Sequence, residues 1–227
     1  MRRADFRRYR QAGIRRFEDI LRAHEKGHCD EQGLPSYTHP NPLMRWLTWR
    51  RVQVVLNAIA AELPLQEVLD FGCGYGVFIP YLIEHADHTL AFDPMIAELQ
   101  ALGEAAGWPR VSYESDLARI AAMRQRFDLI LAIEVLEHVE ALEETVDLFY
   151  ELLRPQGALL VSGPTENWLY QIGRKLAGYS GEYHLRDIYA VRQTLARRFH
   201  VRRIAAILPG LPFYEVYRCA KPSGQHG

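Results

Sequence analysis

A chain of 227 residues, 48% hydrophobic and 24% charged, can bury one sizeable core and predicts a single domain with attachments. Its three cysteines, Cys29, Cys73 and Cys219, are odd in number and widely spaced, which suits a reducing cytoplasm and offers neither a disulfide scaffold nor a metal cluster. Residues 1 to 66 carry 12 Lys/Arg against 7 Asp/Glu and the remainder 15 against 21, so the bulk of the chain is mildly acidic and no nucleic-acid partner is expected.

The N-terminal stretch MRRADFRRYRQAG lacks an apolar run after its basic start, so no cleaved signal peptide is expected. Residues 3 to 23 read as a helix with Phe6, Ile14, Phe17, Ile20 and Leu21 on one side and arginines elsewhere. The segment HEKGHCDEQGLPSYTHPNP reads as loop, and a second helix is expected from Leu43 to Ala61, just after Pro42. No run approaches the roughly 18 apolar residues of a membrane span.

From there apolar runs alternate with helical patterns. Strands are expected at 67–71, 89–92, 111–114, 127–133 and 157–163, with helices in YLIEHA, MIAELQALGEAA, LARIAAMRQ and ALEETVDLFYELL. This alternation predicts an α/β fold, a mostly parallel sheet covered on both faces. HVRRIAAILPG and LPFYEVYRCAK then predict a terminal antiparallel pair.

The first strand runs into VLDFGCGYG, with glycines at 72, 74 and 76. Glycine permits a tight strand-to-helix turn and lets a ligand approach the backbone. In a doubly wound sheet this loop lies in the crevice outside the carboxyl ends of the strands, with Asp70 at the strand end. A dinucleotide fingerprint would place its third glycine at 77, where this chain has Val77. Asp93, ending the second strand, suits a ribose diol, and Asp116 after the third could meet an adenine amino group. No P-loop lysine follows the glycines and no arginine lies among them. The ligand therefore reads as adenosine-like with little phosphate, a nicotinamide or flavin nucleotide being the alternative.

VLDFGCGYG, LAFDP, ESDL, FDLILAIEVLEHV and LLRPQGALLVSGP occur in that order over roughly residues 65 to 165. Together they resemble the class I S-adenosylmethionine-dependent methyltransferases, most of all a subgroup that methylates small metabolites, lipids or sugars, and the helix start EVLEHV resembles that of ubiquinone-type enzymes. The resemblance implies a Rossmann-like seven-stranded sheet with a terminal antiparallel hairpin. It implies S-adenosyl-L-methionine as cofactor and S-adenosyl-L-homocysteine as product, with no metal.

It also implies roles. Asp70 would lie near the methionine amino group, with Gly72, Cys73, Gly74 and Gly76 forming the loop around its carboxylate end. Asp93 would hold the ribose, Pro94 and Met95 would cover the adenine, and Asp116 and Leu117 would hold its edge. Ile133 and Glu134 would close the floor beneath the sulfonium. Three bland readings stand beside these: Asp116 as a helix cap, Met95 as ordinary packing and Cys73 as the filler of a tight loop.

A sulfonium methyl is already electrophilic, so the protein has chiefly to align the acceptor and exclude water. For a hydroxyl acceptor His138 is the candidate base, a surface or capping histidine being the alternative, and Tyr183 with His184 forms a second candidate pair. The expected reaction is methylation of a small metabolite, lipid precursor or sugar at oxygen. A carbon or nitrogen methyltransferase, or a non-catalytic cofactor-binding protein, is the rival.

Two segments carry aromatic residues among cations: the insert 164–187, with Trp168 and Tyr170 beside Arg174 and Lys175, and 41–59, with Trp46 and Trp49 among Arg45, Arg50 and Arg51. A helical arm over 1–62 and the insert are expected to meet as a lid on a 63–227 core. Peripheral membrane contact through these stripes and packing on the core are both open readings.

Overall fold

The computed structural model describes residues 2–23, 34–165, 186–208 and 212–222, in two compact units, 1–61 and 62–227. Among the described residues no helix is long and apolar enough to cross a membrane.

The first unit is built from helices α1 (Arg3–Ala23), α2 (Pro35–Thr38) and α3 (Pro42–Ala61). Phe6, Gly13, Phe17 and Ile20 recur at helical spacing on one face of α1, the face that meets α3. Gly13 sets the closeness of that crossing, because a Cβ there would come within 2.5 Å of Trp49 Cη2. Trp49 is 1% exposed, its ring centroid lies 6.5 Å from that of Phe6 and 6.4 Å from that of Phe17, and its indole N–H donates to the Tyr37 carbonyl at 3.0 Å. Burying such a ring with its N–H satisfied removes a large apolar area from water without an orphaned donor. Trp46 does the opposite and is 45% exposed. The stripe that looks uniform in sequence is thus divided between core and surface.

The second unit is a seven-stranded sheet in the order β3-β2-β1-β4-β5-β7-β6. Its strands are β1 (Leu65–Phe71), β2 (Ala86–Phe92), β3 (Val111–Glu114), β4 (Phe127–Ile133), β5 (Leu153–Pro164), β6 (His200–Ile207) and β7 (Tyr214–Ala220). The first five are parallel, and β7 runs antiparallel between β5 and β6. Around the sheet lie α4 (Ile79–His85), α5 (Ala97–Ala106), α6 (Leu117–Ala121), α7 (Leu142–Leu152) and α8 (Ile188–Leu195). The mostly parallel sheet, its terminal antiparallel hairpin and the flanking helices are those expected from the alternation of apolar runs.

Central strands covered on both sides need apolar side chains on both. Val68, Leu69, Ile130, Leu131 and Ala132 are accordingly all fully buried. Phe149 of α7 closes on Phe71 edge to face at 4.9 Å, and Phe71 stacks on Phe92 at 4.8 Å. Side chains of this size contribute about 1.5–3 kcal/mol each when fully buried.

Three strands start earlier than their apolar patterns suggest, β1 at Leu65 and two others by a wider margin. β2 begins at Ala86 directly after α4, and β5 at Leu153 directly after α7, its pairing with β4 shifting register between Phe127 and Leu129. Asp128 fills the irregularity by accepting from the amides of Gln66 and Glu67 at 2.8 and 2.9 Å, and Arg154 donates to its other oxygen at 2.5 Å. The segment EVLEHV is a further departure. It forms a single 3-10 turn, Leu136–His138, and α7 starts only at Leu142.

Candidate functional site

Strand order reverses between β1 and β4, with β2 and β3 on one side and β5 on the other. Ligands of doubly wound sheets bind outside the carboxyl ends at such a point. The strand ends gathered there are Phe71, Phe92, Glu114, Ile133 and Pro164.

The loop after β1 is held by its own backbone. The amides of Gly72 and Cys73 both donate to the Phe92 carbonyl, at 2.8 and 3.1 Å, and the Gly76 amide to Cys73 at 2.8 Å. Gly72 has φ +71°, and a Cβ on it would come within 2.4 Å of Val135 Cγ2. Gly76 has φ +68° and a Cβ there would meet Leu99 Cδ1 at 2.7 Å. Both positions require glycine for conformation and for space. Gly74, at φ +50°, turns its amide to Asp93 Oδ2 at 3.0 Å.

Asp93 Oδ1 accepts from the Met95 amide at 2.9 Å, so this one carboxylate joins the glycine loop to the turn after β2. Each oxygen retains capacity for a second donor. Met95 is 44% exposed beside an exposed Pro94, and Leu117, after β3, is 40% exposed. Apolar side chains left in water at adjacent strand ends offer contact to a flat ring. Asp116 caps α6, accepting from the Ala118 amide at 2.9 Å. Glu114 organises the same turn by accepting from the amides of Ser115 and Asp116 at 3.0 and 2.9 Å.

Asp70 stands apart from these satisfied groups. It is 2% exposed, and its Oδ2 is buried without a hydrogen-bond partner. Burial, and then the nearby Asp93 charge, push its carboxyl up to about 7. A buried carboxylate without a partner is costly, and it is relieved by a proton or by a cationic donor from a ligand. The same surroundings push the Cys73 thiol well above its ordinary value, burial first and Asp70 next, so that it remains a protonated filler of the loop.

Across the switch point the polar groups are already engaged. Glu134 adopts φ +56°, its amide donates to the Ser162 carbonyl at 3.0 Å, and its Oε1 accepts from Ser162 Oγ at 2.8 Å. Ile133 precedes it, half-buried at the end of β4. His138 is exposed at the end of the 3-10 turn, whose Leu136 and Glu137 are buried. Arg186 fastens the following loop, donating to the carbonyls of Val139 and Glu140 at 2.7 and 3.1 Å. Tyr183, His184 and nearly all of the 164–187 insert lie outside the described residues.

The strand ends therefore gather Asp70, the glycine loop, Asp93 with Pro94 and Met95, Asp116 with Leu117, and Ile133 with Glu134. Ser162, Val135 and Arg186 join them without having been singled out from sequence. Ser162 was within reach of such reading, as a hydroxyl closing an apolar strand. Val135 was not, because only the fold shows that it occupies the space denied to a Gly72 side chain.

A parallel sheet with this strand order, a glycine turn after β1 and acidic residues closing the next two strands define a nucleoside-binding α/β protein. A family model described as a methyltransferase domain matches residues 6–207. The chain belongs to this family, within the class I S-adenosylmethionine-dependent methyltransferases.

Among curated proteins it is 29% identical over 140 residues to a ubiquinone biosynthesis O-methyltransferase of Nitrobacter winogradskyi, covering 58% of this chain and 54% of that protein. It is 27% identical over 115 residues to the protein of the same description from Rhodopseudomonas palustris, covering 50% and 44%. The chain thus spans about half the length of the curated relatives it matches. Among solved structures it resembles the N-methyltransferase NodS of Bradyrhizobium japonicum in complex with S-adenosyl-L-homocysteine. The TM-score is 0.59 at 21% identity, over 81% of this chain and 90% of that one. Magnesium protoporphyrin IX methyltransferase of Synechocystis, with the same product bound, gives a TM-score of 0.63 at 18% identity, over 90% and 100%. These two likenesses are likenesses of fold.

Proposed function

We propose that the chain transfers the methyl group of S-adenosylmethionine to an oxygen of a small, partly apolar metabolite, lipid precursor or sugar, in the cytoplasm. The observation that carries the donor half is Asp70, a buried carboxylate with an unpartnered oxygen at the head of a glycine loop. The cationic, amino-bearing end of that cofactor suits it. Gly72, Cys73, Gly74 and Gly76 leave room along the loop, and Asp93 has lone pairs to spare for a ribose diol. Met95 with Pro94, and Leu117 beside Asp116, offer apolar cover and an edge for the adenine.

Bound there, the cofactor supplies an electrophilic methyl group. The chain's own task is to hold the acceptor in line and keep water away. Ile133 and Glu134 form the floor beneath the sulfonium, and Ser162 fixes the direction of the Glu134 carboxylate. His138 is the base that takes the acceptor hydroxyl proton, at the mouth of the site and on a loop that Arg186 restrains. Tyr183 and His184 are the second candidates for acceptor contact.

The resemblance to ubiquinone biosynthesis O-methyltransferases supports oxygen as the acceptor atom. Calorimetric titration should show S-adenosylmethionine bound and a nicotinamide nucleotide not; the reverse preference ends the assignment. In a methyl-transfer screen on pooled cell extract, methyl-ether products are expected and His138→Ala should slow their formation. A methylated carbon or amine would reject the oxygen claim. Failure to methylate anything, with the cofactor still bound, would mark a non-catalytic binding protein.

A further inference from the structure

The N-terminal unit carries charge that the proposed chemistry does not use. Arg3, Arg7 and Arg10 lie on one side of α1 at intervals of four and three residues, and Trp46, Trp49, Arg50 and Gln53 repeat at helical spacing on α3. Between them runs a cleft of about 280 Å³ whose lining includes four arginines, Arg3, Arg7, Arg10 and Arg50, and, among the described residues, no carboxylate. It shares Arg10 and Trp46 with a second cleft of about 490 Å³, which adds Ile14, Thr38, Pro42 and Arg45 and, among the described residues, a single acid, Glu18.

These cations are not committed to structure. Among the described residues Arg3, Arg7 and Arg10 form no ion pair, and the Nε of Arg10 is buried without a hydrogen-bond partner. Among the described residues Arg50 donates to the Gln53 side chain at 2.8 Å, and Arg45 to the His39 carbonyl at 2.7 Å. Asp5 is taken by Arg2 and Arg8, on the other side of α1. Arg3 and Arg7 also sit near the positive end of the α1 dipole, where a cation is unfavourable. Helix stability alone gives no reason for this arrangement. Trp46, 45% exposed and shared by both clefts, supplies a flat apolar wall beside the guanidinium groups.

We propose that the cleft between α1 and α3 is a binding site for a phosphate or pyrophosphate group carried on an apolar or aromatic body. The anion sits on Arg3, Arg7, Arg10 and Arg50, and the body lies along Trp46 towards Ile14 and Pro42. Guanidinium forks match phosphate oxygens in pairs, and several of them together suit a group of two or more negative charges better than a single carboxylate. Glu18, itself 3.8 Å from Arg22, makes the far end less favourable for the anion than the arginine end. The combined volume is that of a site for one small ligand, not of a track for an extended polyanion. A free phosphorylated amphiphile and an anionic phospholipid headgroup present the same chemistry.

The test is binding to the full chain without cofactor, so it is read independently of methyl transfer. Trp fluorescence is titrated with monomeric dihexanoylphosphatidic acid, and flotation is measured with equimolar phosphatidylglycerol and phosphatidylcholine vesicles and with phosphatidylcholine vesicles alone. Binding to at least one anionic probe is expected, with none to phosphatidylcholine alone. Arg7→Gln and Arg10→Gln should each weaken it about tenfold, the loss of one charge-assisted pair, and Trp46→Ala should weaken it too. Arg15→Gln, which removes an equal charge from α1 outside the cleft, should leave it unchanged. Tighter binding to vesicles assigns the site to a bilayer headgroup, and equal or tighter binding of the monomer assigns it to a free ligand. The proposal is overturned if neither probe binds, if Arg15→Gln costs as much as Arg10→Gln, or if a single-stranded oligonucleotide binds more tightly than either. Unaltered far-ultraviolet circular dichroism and melting temperature of the cleft variants show that they are folded.

Discussion

The two sides of the switch point use polar groups in opposite ways. On the side of β1 to β3 the backbone is fastened so that one carboxylate oxygen, on Asp70, is left with nothing to bind. On the side of β4 to β7 the polar groups close on one another: Glu134 with Ser162, and Glu215 with both Arg203 and Tyr217. The first side is preorganised for a ligand from outside. The second is a finished framework.

The largest expected effect comes from filling the space that keeps the glycine loop in place. Gly72→Ala meets both an unfavourable φ of +71° and a collision with Val135. Strain and overpacking together should cost about 2–5 kcal/mol in urea unfolding, and Val135→Ala in the same chain should return part of it. A loss below about 1 kcal/mol would mean that the loop yields, and the contrast between a rigid donor side and a merely framed acceptor side would fall.

Next is the orphaned carboxylate. Asp70→Asn should weaken S-adenosylmethionine binding roughly 10- to 100-fold, the worth of a charge-assisted hydrogen bond, without lowering the melting temperature of the free protein. The pH dependence follows with a definite sign. Because the carboxyl is raised to about 7 when folded, its stabilising contribution is full below the ordinary value of 3.8 and is lost as pH rises through about 7. Cofactor affinity runs the other way, rising up to about tenfold per unit as pH climbs towards 7, since the cationic group needs the ionised form. Both trends should vanish in Asp70→Asn. If calorimetry at several pH values shows the wild-type affinity flat, the ligand does not meet this carboxylate.

The smallest effect sharpens the other side. Ser162→Ala removes one hydrogen bond from Glu134 and should cost about 1 kcal/mol of stability, with a smaller loss of cofactor affinity than Asp70→Asn. A loss as large as that of Asp70→Asn would mean that the two sides do not differ in this way.

Much of the donor half is legible in sequence because its parts are local. Three glycines at alternate positions, an aspartate at each of two strand ends and near-continuous apolar strands each need only a few neighbouring residues to be read. The 3-10 turn at Leu136–His138 is different. It follows from Glu134 turning into positive φ to pair with Ser162 on another strand, and nothing local in EVLEHV marks that. Trp46 and Trp49 show the same limit. Three residues apart on α3, they share a helical face in sequence, and only the line along which α1 crosses it decides which is buried. The early start of β5 likewise depends on Asp128, which is made three strands after the β1 residues whose amides it accepts.

The position of β7 has a consequence for how the sheet is made. Tyr214–Ala220 lies between β5 and β6, although both precede it in the chain. A growing polypeptide therefore completes β5, with Leu159 and Val161, well before the strand that covers its free edge exists. Nor can β6 join the sheet by itself, since its described partner is β7 alone. Until the seventh strand emerges, the β5 edge is an open template for pairing with another chain. Ribosomal pausing or truncation before Tyr214 thus exposes the nascent protein at an aggregation-prone point, after the five parallel strands have been made and before the sheet can close.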